Sequence, residues 1–193
     1  MTAQNLSPQI NALGVKAVIA VFITAIISLF FPLEAPAPNQ NDAAYWLMND
    51  MGGYVFGWLN QIAAMLALSL VLIVAAWQVF ETRPLRAITS WVFTLMATMV
   101  FFIVKFINVW SVPLMAKALA SGSPTSANAE IILTALAPAV GFGFGPSLDY
   151  LGFAFYAVAC LVIFRPLYKL SKSAKIAAVG FLVFGVLFFL VIA

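Results

Sequence analysis

Long apolar runs alternate with short polar segments along the whole chain, and their lengths predict membrane-spanning helices. A helix needs about 20 predominantly apolar residues to cross the hydrocarbon core of a bilayer. Runs near this length predict five spanning helices, at about 15–33, 53–80, 87–112, 148–167 and 174–193. A further run, at about 128–145, is interrupted by Pro138 and by three glycines. We therefore predict an all-α integral membrane protein, a single polytopic domain over 1–193, with an interfacial or re-entrant segment between helices three and four.

The first run has an alternative interpretation as a secretory signal peptide. Ala35, Pro36 and Ala37 resemble the small-residue cleavage site of such a peptide. Pro38 would then directly follow the cut, which argues against cleavage. We expect the first helix to be a retained membrane anchor.

The polar segments between the runs predict loops and turns. Residues 32–53 contain three prolines and three acidic residues, which is typical of an aqueous loop; we expect one short turn at about 43–48, with Tyr45 and Trp46 at the membrane interface. The basic turn at 81–86 is very short, so helices two and three should be antiparallel neighbours.

The segment that follows the third helix is predicted from the residues in it that disfavour helix. Pro113 should end that helix, because proline has no backbone N–H to continue the hydrogen-bond ladder. Residues 116–128 should then be irregular, with an obvious loop at 121–126.

Basic residues concentrate in two short segments, which predicts the orientation in the membrane. Arg83 and Arg86 lie in the first segment, and residues 165–175 contain four more cations. Five crossings place both segments on one side, whereas six would separate them. Since cytoplasmic loops are enriched in Lys and Arg, we expect a multi-pass protein of the cell membrane (the inner membrane of a Gram-negative cell), with its N-terminus inside and its C-terminus outside.

Composition supports a membrane protein and narrows the classes of function. Hydrophobic residues make up 65% of the 193 residues and charged residues only 8%, against about 45–50% and 25% in soluble domains. The net charge of +3 does not indicate nucleic-acid binding, because the basic residues flank apolar runs. The chain has no His and one Cys, Cys160, so we predict no disulfide, no metal site and no cofactor.

Lys105 is the strongest candidate for a functional residue, because it is a charge within the apolar run of the third helix. At about 1.5 Å per residue, the roughly 18 residues from Ala87 put Lys105 about 27 Å across, in the outer leaflet. One interpretation is that its ammonium snorkels to the outer surface. The other is that it belongs to a polar layer that binds a ligand.

Neighbouring polar residues favour such a layer. Three amide side chains are predicted at similar depth, namely Asn60, Gln61 and Asn108. Either Asp149 or Asp50 is placed to neutralise Lys105. The alternative for Asn60 and Gln61 is a structural hydrogen bond between helices.

Aromatic residues are predicted to surround this layer. They are Tyr54, Trp58, Trp110, Phe142, Phe144 and Tyr150. With a cation and amide donors, they would form a pocket for an amphiphile with an anionic head, such as a lipid or fatty acid. The alternative is the aromatic belt common to membrane proteins. The candidate ligand-binding residues are Tyr54, Trp58, Asn60, Gln61, Lys105, Asn108, Trp110 and Asp149.

Small residues on the second helix indicate a close helix contact. Gly53 and Gly57 have the small-xxx-small spacing that lets two helices approach closely, and Ala63 and Ala67 continue a similar spacing. Packing within one chain explains this pattern, and a subunit interface is the alternative. The pattern predicts that Gly57→Leu lowers stability.

These residues predict a function without catalysis. The chain has no Ser-His-Asp set, no paired intramembrane carboxylates and no phosphate-binding Gly-Lys motif, so we expect no enzyme and no catalytic residue. We expect a protein that binds a lipid-like or hydrophobic molecule, or an accessory subunit of a larger membrane complex. The alternative is a small transporter or channel with a polar path near Lys105. Expected partners are membrane lipids and other membrane subunits or further copies of the chain, and not nucleic acid.

Overall fold

Helices dominate the protein. The computed structural model describes residues 3–136 and 143–192, with side chains described for 8–136 and 143–191. Helix makes up 87% of the described residues and no strand occurs among them, which confirms the all-α class. The described helices are, in chain order, α1 (Ala3–Ser28), α2 (Gln40–Asn49), α3 (Met51–Phe80), α4 (Pro84–Ala120), α5 (Ser126–Leu136), α6 (Phe144–Tyr168) and α7 (Lys172–Ile192).

Five of these helices, α1, α3, α4, α6 and α7, are long and apolar enough to cross a membrane. Their number agrees with the five spanning helices predicted from run lengths, and they indicate a membrane-embedded protein. All five are long enough for the roughly 20-residue requirement of the bilayer core.

The two ends of α1 differ from the predicted range of 15–33. The helix begins at Ala3 because the polar residues before the apolar run add turns to a helix that has already nucleated. It ends at Ser28, where Leu29 N donates to Ile26 O at 3.1 Å and Phe30 N to Ile27 O at 3.0 Å. These tighter bonds close the last turn before Pro32, since a residue that precedes proline disfavours helical geometry.

The prediction that Pro113 ends the third spanning helix is wrong. α4 continues through Pro113 to Ala120, so part of the expected loop at 116–128 is helical. Proline removes one backbone hydrogen bond, but Val112, Ala116 and Leu119 are buried in one hydrophobic cluster. Burial of that apolar face outweighs the single lost bond. The irregular connection is reduced to 121–125.

The predicted aqueous loop at 32–53 contains a helix, α2, instead of one short turn. Asn39 caps it, because its side-chain oxygen accepts from Asp42 N at 2.9 Å. The inner face of α2 buries Ala43 and Trp46, and Trp46 is only 5% exposed. Trp46 is therefore a core residue and not the interfacial aromatic that was expected, while Tyr45 is exposed.

The segment between α4 and α6 is described in part. α5 begins two residues before the predicted segment at 128–145 and covers its first part, with Ala129 and Leu133 buried. Residues 137–142, which include Pro138 and Phe142, lie outside the described residues. The interfacial or re-entrant placement therefore stays a prediction. α6 begins at Phe144, four residues before the predicted start of the fourth spanning helix.

The described residues form two compact units. Unit 1 lies within Met1–Phe22, Met65–Val100 and Leu151–Ala193, and unit 2 within Ile23–Ala64 and Phe101–Tyr150. The core of unit 2 is a cluster of buried residues from α2, α3, α4 and α5. Unit 1 has small clusters, one around Ala87 and Ile163 and another around Val79 and Leu167.

Unit 1 also contains a buried network of hydroxyl groups. Ser69 Oγ lies 2.6 Å from the Tyr156 hydroxyl and 2.7 Å from Thr98 Oγ1. Backbone carbonyls complete the network, because Ser69 donates to Met65 O and Thr98 to Thr94 O. Such bonds satisfy polar groups in an apolar interior and tie the helices of unit 1 to one another.

Candidate functional site

Lys105 lies inside unit 2 and forms an ion pair. Its Nζ is 3.4 Å from Oδ1 of Asp149, which lies near the start of α6. The Lys105 side chain is 11% exposed, and that of Asp149 is 30% exposed. The ammonium therefore turns to a carboxylate instead of extending to the surface, and of the two acids considered, Asp149 is the partner.

Two aromatic rings enclose the same ammonium. Lys105 Nζ lies 5.4 Å from the centre of the Trp58 ring and 5.0 Å from that of Phe101. Both distances are within the range of about 6 Å over which the ring quadrupole attracts a cation. We call Lys105, Asp149, Trp58 and Phe101 the Lys105 site.

Trp58 brings an incompletely satisfied donor to the Lys105 site. Its indole Nε1 is buried and has no acceptor that meets hydrogen-bond geometry in the described part of the chain, although it interacts with the Tyr54 hydroxyl. The Tyr54 hydroxyl itself donates to Asn108 Oδ1 at 2.9 Å. A buried N–H without a good acceptor is costly, so a ligand oxygen at this position would be stabilised.

A hydrogen-bonded chain supports the site from α3 to α4. Tyr54 is fully buried and bonds to Asn108, whose side-chain amide donates to Val104 O at 2.9 Å. The Tyr54 ring also makes edge contacts with Trp46 and Trp58, at centroid distances of 5.0 and 6.1 Å. Tyr54 and Asn108 therefore hold Trp58 in position beside Lys105.

Asn60 and Gln61 form a different cluster in unit 2. Asn60 Nδ2 donates to Thr24 O and to Ser28 Oγ, both at 2.9 Å, and Gln61 Nε2 donates to Ser28 Oγ at 3.0 Å. None of these bonds involves Lys105. The predicted polar layer is thus divided into the Lys105 site and a cluster that ties α3 to α1. Asn60 and Gln61 form hydrogen bonds between helices, which was the alternative to ligand binding for these two residues.

Three of the remaining predicted aromatics are exposed: Trp110, Phe144 and Tyr150. Trp110 is 61% exposed and stacks on Phe106, with 6.5 Å between ring centres. Phe144 and Tyr150 are also exposed, and Phe142 lies outside the described residues. Sequence reasoning missed Phe101, although its position four residues before Lys105 puts both side chains on one helix face.

Comparison with family models, curated proteins and solved structures found no match for this chain. The chemistry of the Lys105 site therefore rests on its own side chains. An ammonium group has three donors, and 3.4 Å to Asp149 is longer than the 2.7–2.9 Å typical of charge-assisted bonds. The pair is loose, so an anionic group with shorter contacts can compete with Asp149 for Lys105.

Proposed function

We propose that the protein is a non-catalytic multi-pass membrane protein that binds an amphiphile with an anionic headgroup through the Lys105 site. The observation that carries the proposal is the buried Lys105 ammonium, loosely paired with Asp149 and faced by two aromatic rings. A charge inside an apolar helix is costly to keep, and such residues usually mark a functional site.

The difference in exposure between the paired groups supports an anionic ligand. Asp149 is 30% exposed and can be hydrated when a ligand replaces it, whereas Lys105, at 11%, depends on a protein or ligand anion. The Trp58 N–H is a second donor for the same headgroup. A carboxylate or phosphate would satisfy both groups.

The outer surface of α4 supports an amphiphile over a small ion. Phe102, Phe106 and Trp110 are exposed and stack at intervals of four residues, with successive ring centres 6.2 and 6.5 Å apart. This spacing puts them on one face of the helix. An acyl chain would lie along this apolar face while its headgroup reaches the Lys105 site.

Ligand occupancy measured by native mass spectrometry tests the proposal. Protein purified gently from its own membranes is expected to retain a discrete small molecule, and Lys105→Met is expected to lose it, because the variant has no cation at the site. Lys117→Met is the matched control, since it removes an exposed lysine of the same helix. The control should keep the ligand.

Two outcomes contradict the proposal. In the first, Lys105→Met folds normally and keeps the same bound mass as the parent protein. In the second, the parent carries no small molecule and takes up no added oleate or phosphatidylglycerol. A stable mass that includes foreign chains would instead favour an accessory subunit of a membrane complex.

A transporter is the second candidate function. The observation that favours it is the hydroxyl network of Ser69, Thr98 and Tyr156 in unit 1, because a solute path through a membrane needs polar groups inside the apolar helices. Proteoliposomes separate the two functions. If the protein only binds a ligand, proteoliposomes should be no more permeable to ions and solutes than protein-free liposomes. If it is a transporter, proteoliposomes should show a flux that Lys105→Met abolishes.

We propose the topology with the N-terminus inside and the C-terminus outside the cell membrane. Support comes from basic residues near both turns: Arg83 and Arg86 at the start of α4, and Arg165, Lys169, Lys172 and Lys175 around the α6–α7 turn. Cysteine labelling of intact cells tests it: a cysteine introduced at Lys172 should be protected from an impermeant reagent.

A further inference from the structure

Four basic side chains line one cleft in unit 1. The cleft has a volume of about 260 Å³ and is lined by Arg83, Arg86, Arg165, Pro166 and Lys169. Two of these cations come from the turn before α4 and its first residues, and two from the end of α6 and the residue after it. Distant parts of the sequence thus bring their charges to one place.

The backbone around this basic cleft is fixed by packing. Ala87 and Ile163 are fully buried in one cluster. Ala87 directly follows Arg86 in the sequence, and Ile163 lies two residues before Arg165. Val79 and Leu167 are buried in a second cluster. The first turn of α4 and the last turn of α6 are therefore held together, so the convergence of the four cations is a property of the fold.

The charges of the basic cleft are not balanced within the part of the chain that the structure describes. Among the residues that the structure describes, none of the four cations has a carboxylate partner, since the ion pair found there joins Lys105 and Asp149. Like charges gathered in one cleft repel one another and attract a counter-anion. The amino end of α4 adds the positive end of its helix dipole at Arg83 and Pro84.

The need for basic residues on one side of the membrane does not explain the cleft. Lys172 and Lys175 meet that need without lining it, and Lys175 Nζ lies 5.3 Å from the centre of the Tyr168 ring. The cleft is instead built mainly of arginines. Their planar guanidinium groups present paired donors that match the oxygens of a phosphate.

We propose that the basic cleft binds a phosphate group, carried by an anionic phospholipid headgroup or by a free phosphate ion. This site goes beyond the proposed function, because it shares no residue with the Lys105 site. The phosphate oxygens would accept from the guanidinium groups of Arg83, Arg86 and Arg165 and from the Lys169 ammonium.

The test compares two double variants that remove the same amount of charge. Arg83→Gln/Arg165→Gln changes the cleft, and Lys172→Gln/Lys175→Gln changes neighbouring cations outside it. Binding of phosphatidylglycerol, with phosphatidylcholine as reference, is measured by native mass spectrometry in detergent, and binding of inorganic phosphate by calorimetry. Every protein compared also carries Lys105→Met, so that the Lys105 site does not contribute to the binding. The cleft variant should bind about tenfold more weakly or worse, and the control should stay near the parent protein.

Each outcome decides the proposal. Selective loss of phosphatidylglycerol alone supports a headgroup site, and loss of inorganic phosphate as well supports a site for the free ion. Equal weakening in both double variants means diffuse attraction to basic residues and overturns the proposal, as does absence of binding of both probes to the parent.

If the glutamine variant does not fold, Arg83→Lys/Arg165→Lys keeps the charge and should still weaken binding, because lysine lacks the paired donors. Unchanged binding in that folded variant would overturn the arginine-based site.

Discussion

Asp149→Asn is expected to lower the free energy of unfolding by about 3 kcal/mol, because it leaves the Lys105 ammonium buried without a counter-charge. Lys105→Met should cost much less, about 1 kcal/mol or below, since the carboxylate left behind is partly exposed and methionine fits an apolar helix face. The two substitutions should therefore lower stability by different amounts, although both break the same ion pair. Equilibrium or thermal unfolding in detergent, followed by tryptophan fluorescence, measures this difference.

A double variant completes the test of the Lys105–Asp149 pair. Lys105→Met/Asp149→Asn should recover most of the stability lost in Asp149→Asn, because removing both charges also removes the cost of burying them. Glu130→Gln is the control, since Glu130 is an exposed acid of α5. Equal effects of the two single variants, or a double variant no more stable than Asp149→Asn, would show that the ion pair is not coupled energetically.

Gly57→Leu is expected to lower stability by about 3 kcal/mol, at the upper end of the range for overpacking. A Cβ at Gly57 would lie 3.0 Å from Pro32 O, 3.0 Å from Leu33 Cδ2 and 3.3 Å from Phe31 Cβ. The carbonyl oxygen belongs to the backbone and cannot move aside as a side chain can. The leucine would push residues 31–33 away from α3, with a large fall in the melting temperature.

Gly52→Leu is the matched control for that substitution. Gly52 lies on the same helix, but a Cβ there meets no atom within 4 Å. Leucine is a better helix former than glycine by about 0.8–1.0 kcal/mol, so this variant should be as stable as the parent or slightly more stable. If both leucine variants lowered the melting temperature equally, close packing at Gly57 would be rejected.

The packing at Gly57 shows what the small-residue pattern could predict and what it could not. The spacing of Gly53 and Gly57 predicts the close approach of a second helix, and Gly57 is indeed closely packed. The partner of Gly57 is the connecting segment 31–33, however, and Gly53 makes only an ordinary contact with the Pro32 ring. Small residues on one helix indicate that another part of the chain can pack closely there. Which segment packs there depends on the path of the chain in the folded structure.

The Lys105 site was likewise predicted only in part from the sequence. The sequence predicts the height of Lys105 along its helix and two acids able to neutralise it, because residue counts along a helix give distance along its axis. Rotation of each helix about its axis decides the rest. It brings Asp149 and Trp58 to Lys105, turns Trp110 outward, and directs Asn60 and Gln61 to Ser28.

The sequence by itself determined the five helices that are long and apolar enough to cross a membrane, since the bilayer sets the length of apolar run that a helix needs, and this signal is local. Only the tertiary structure decided that α4 continues through Pro113 and that residues 40–49 form a helix, because burial of Val112 and Trp46 outweighs local breaker signals. It alone also decided which polar groups meet, since hydrogen bonds and ion pairs form between residues far apart in the chain.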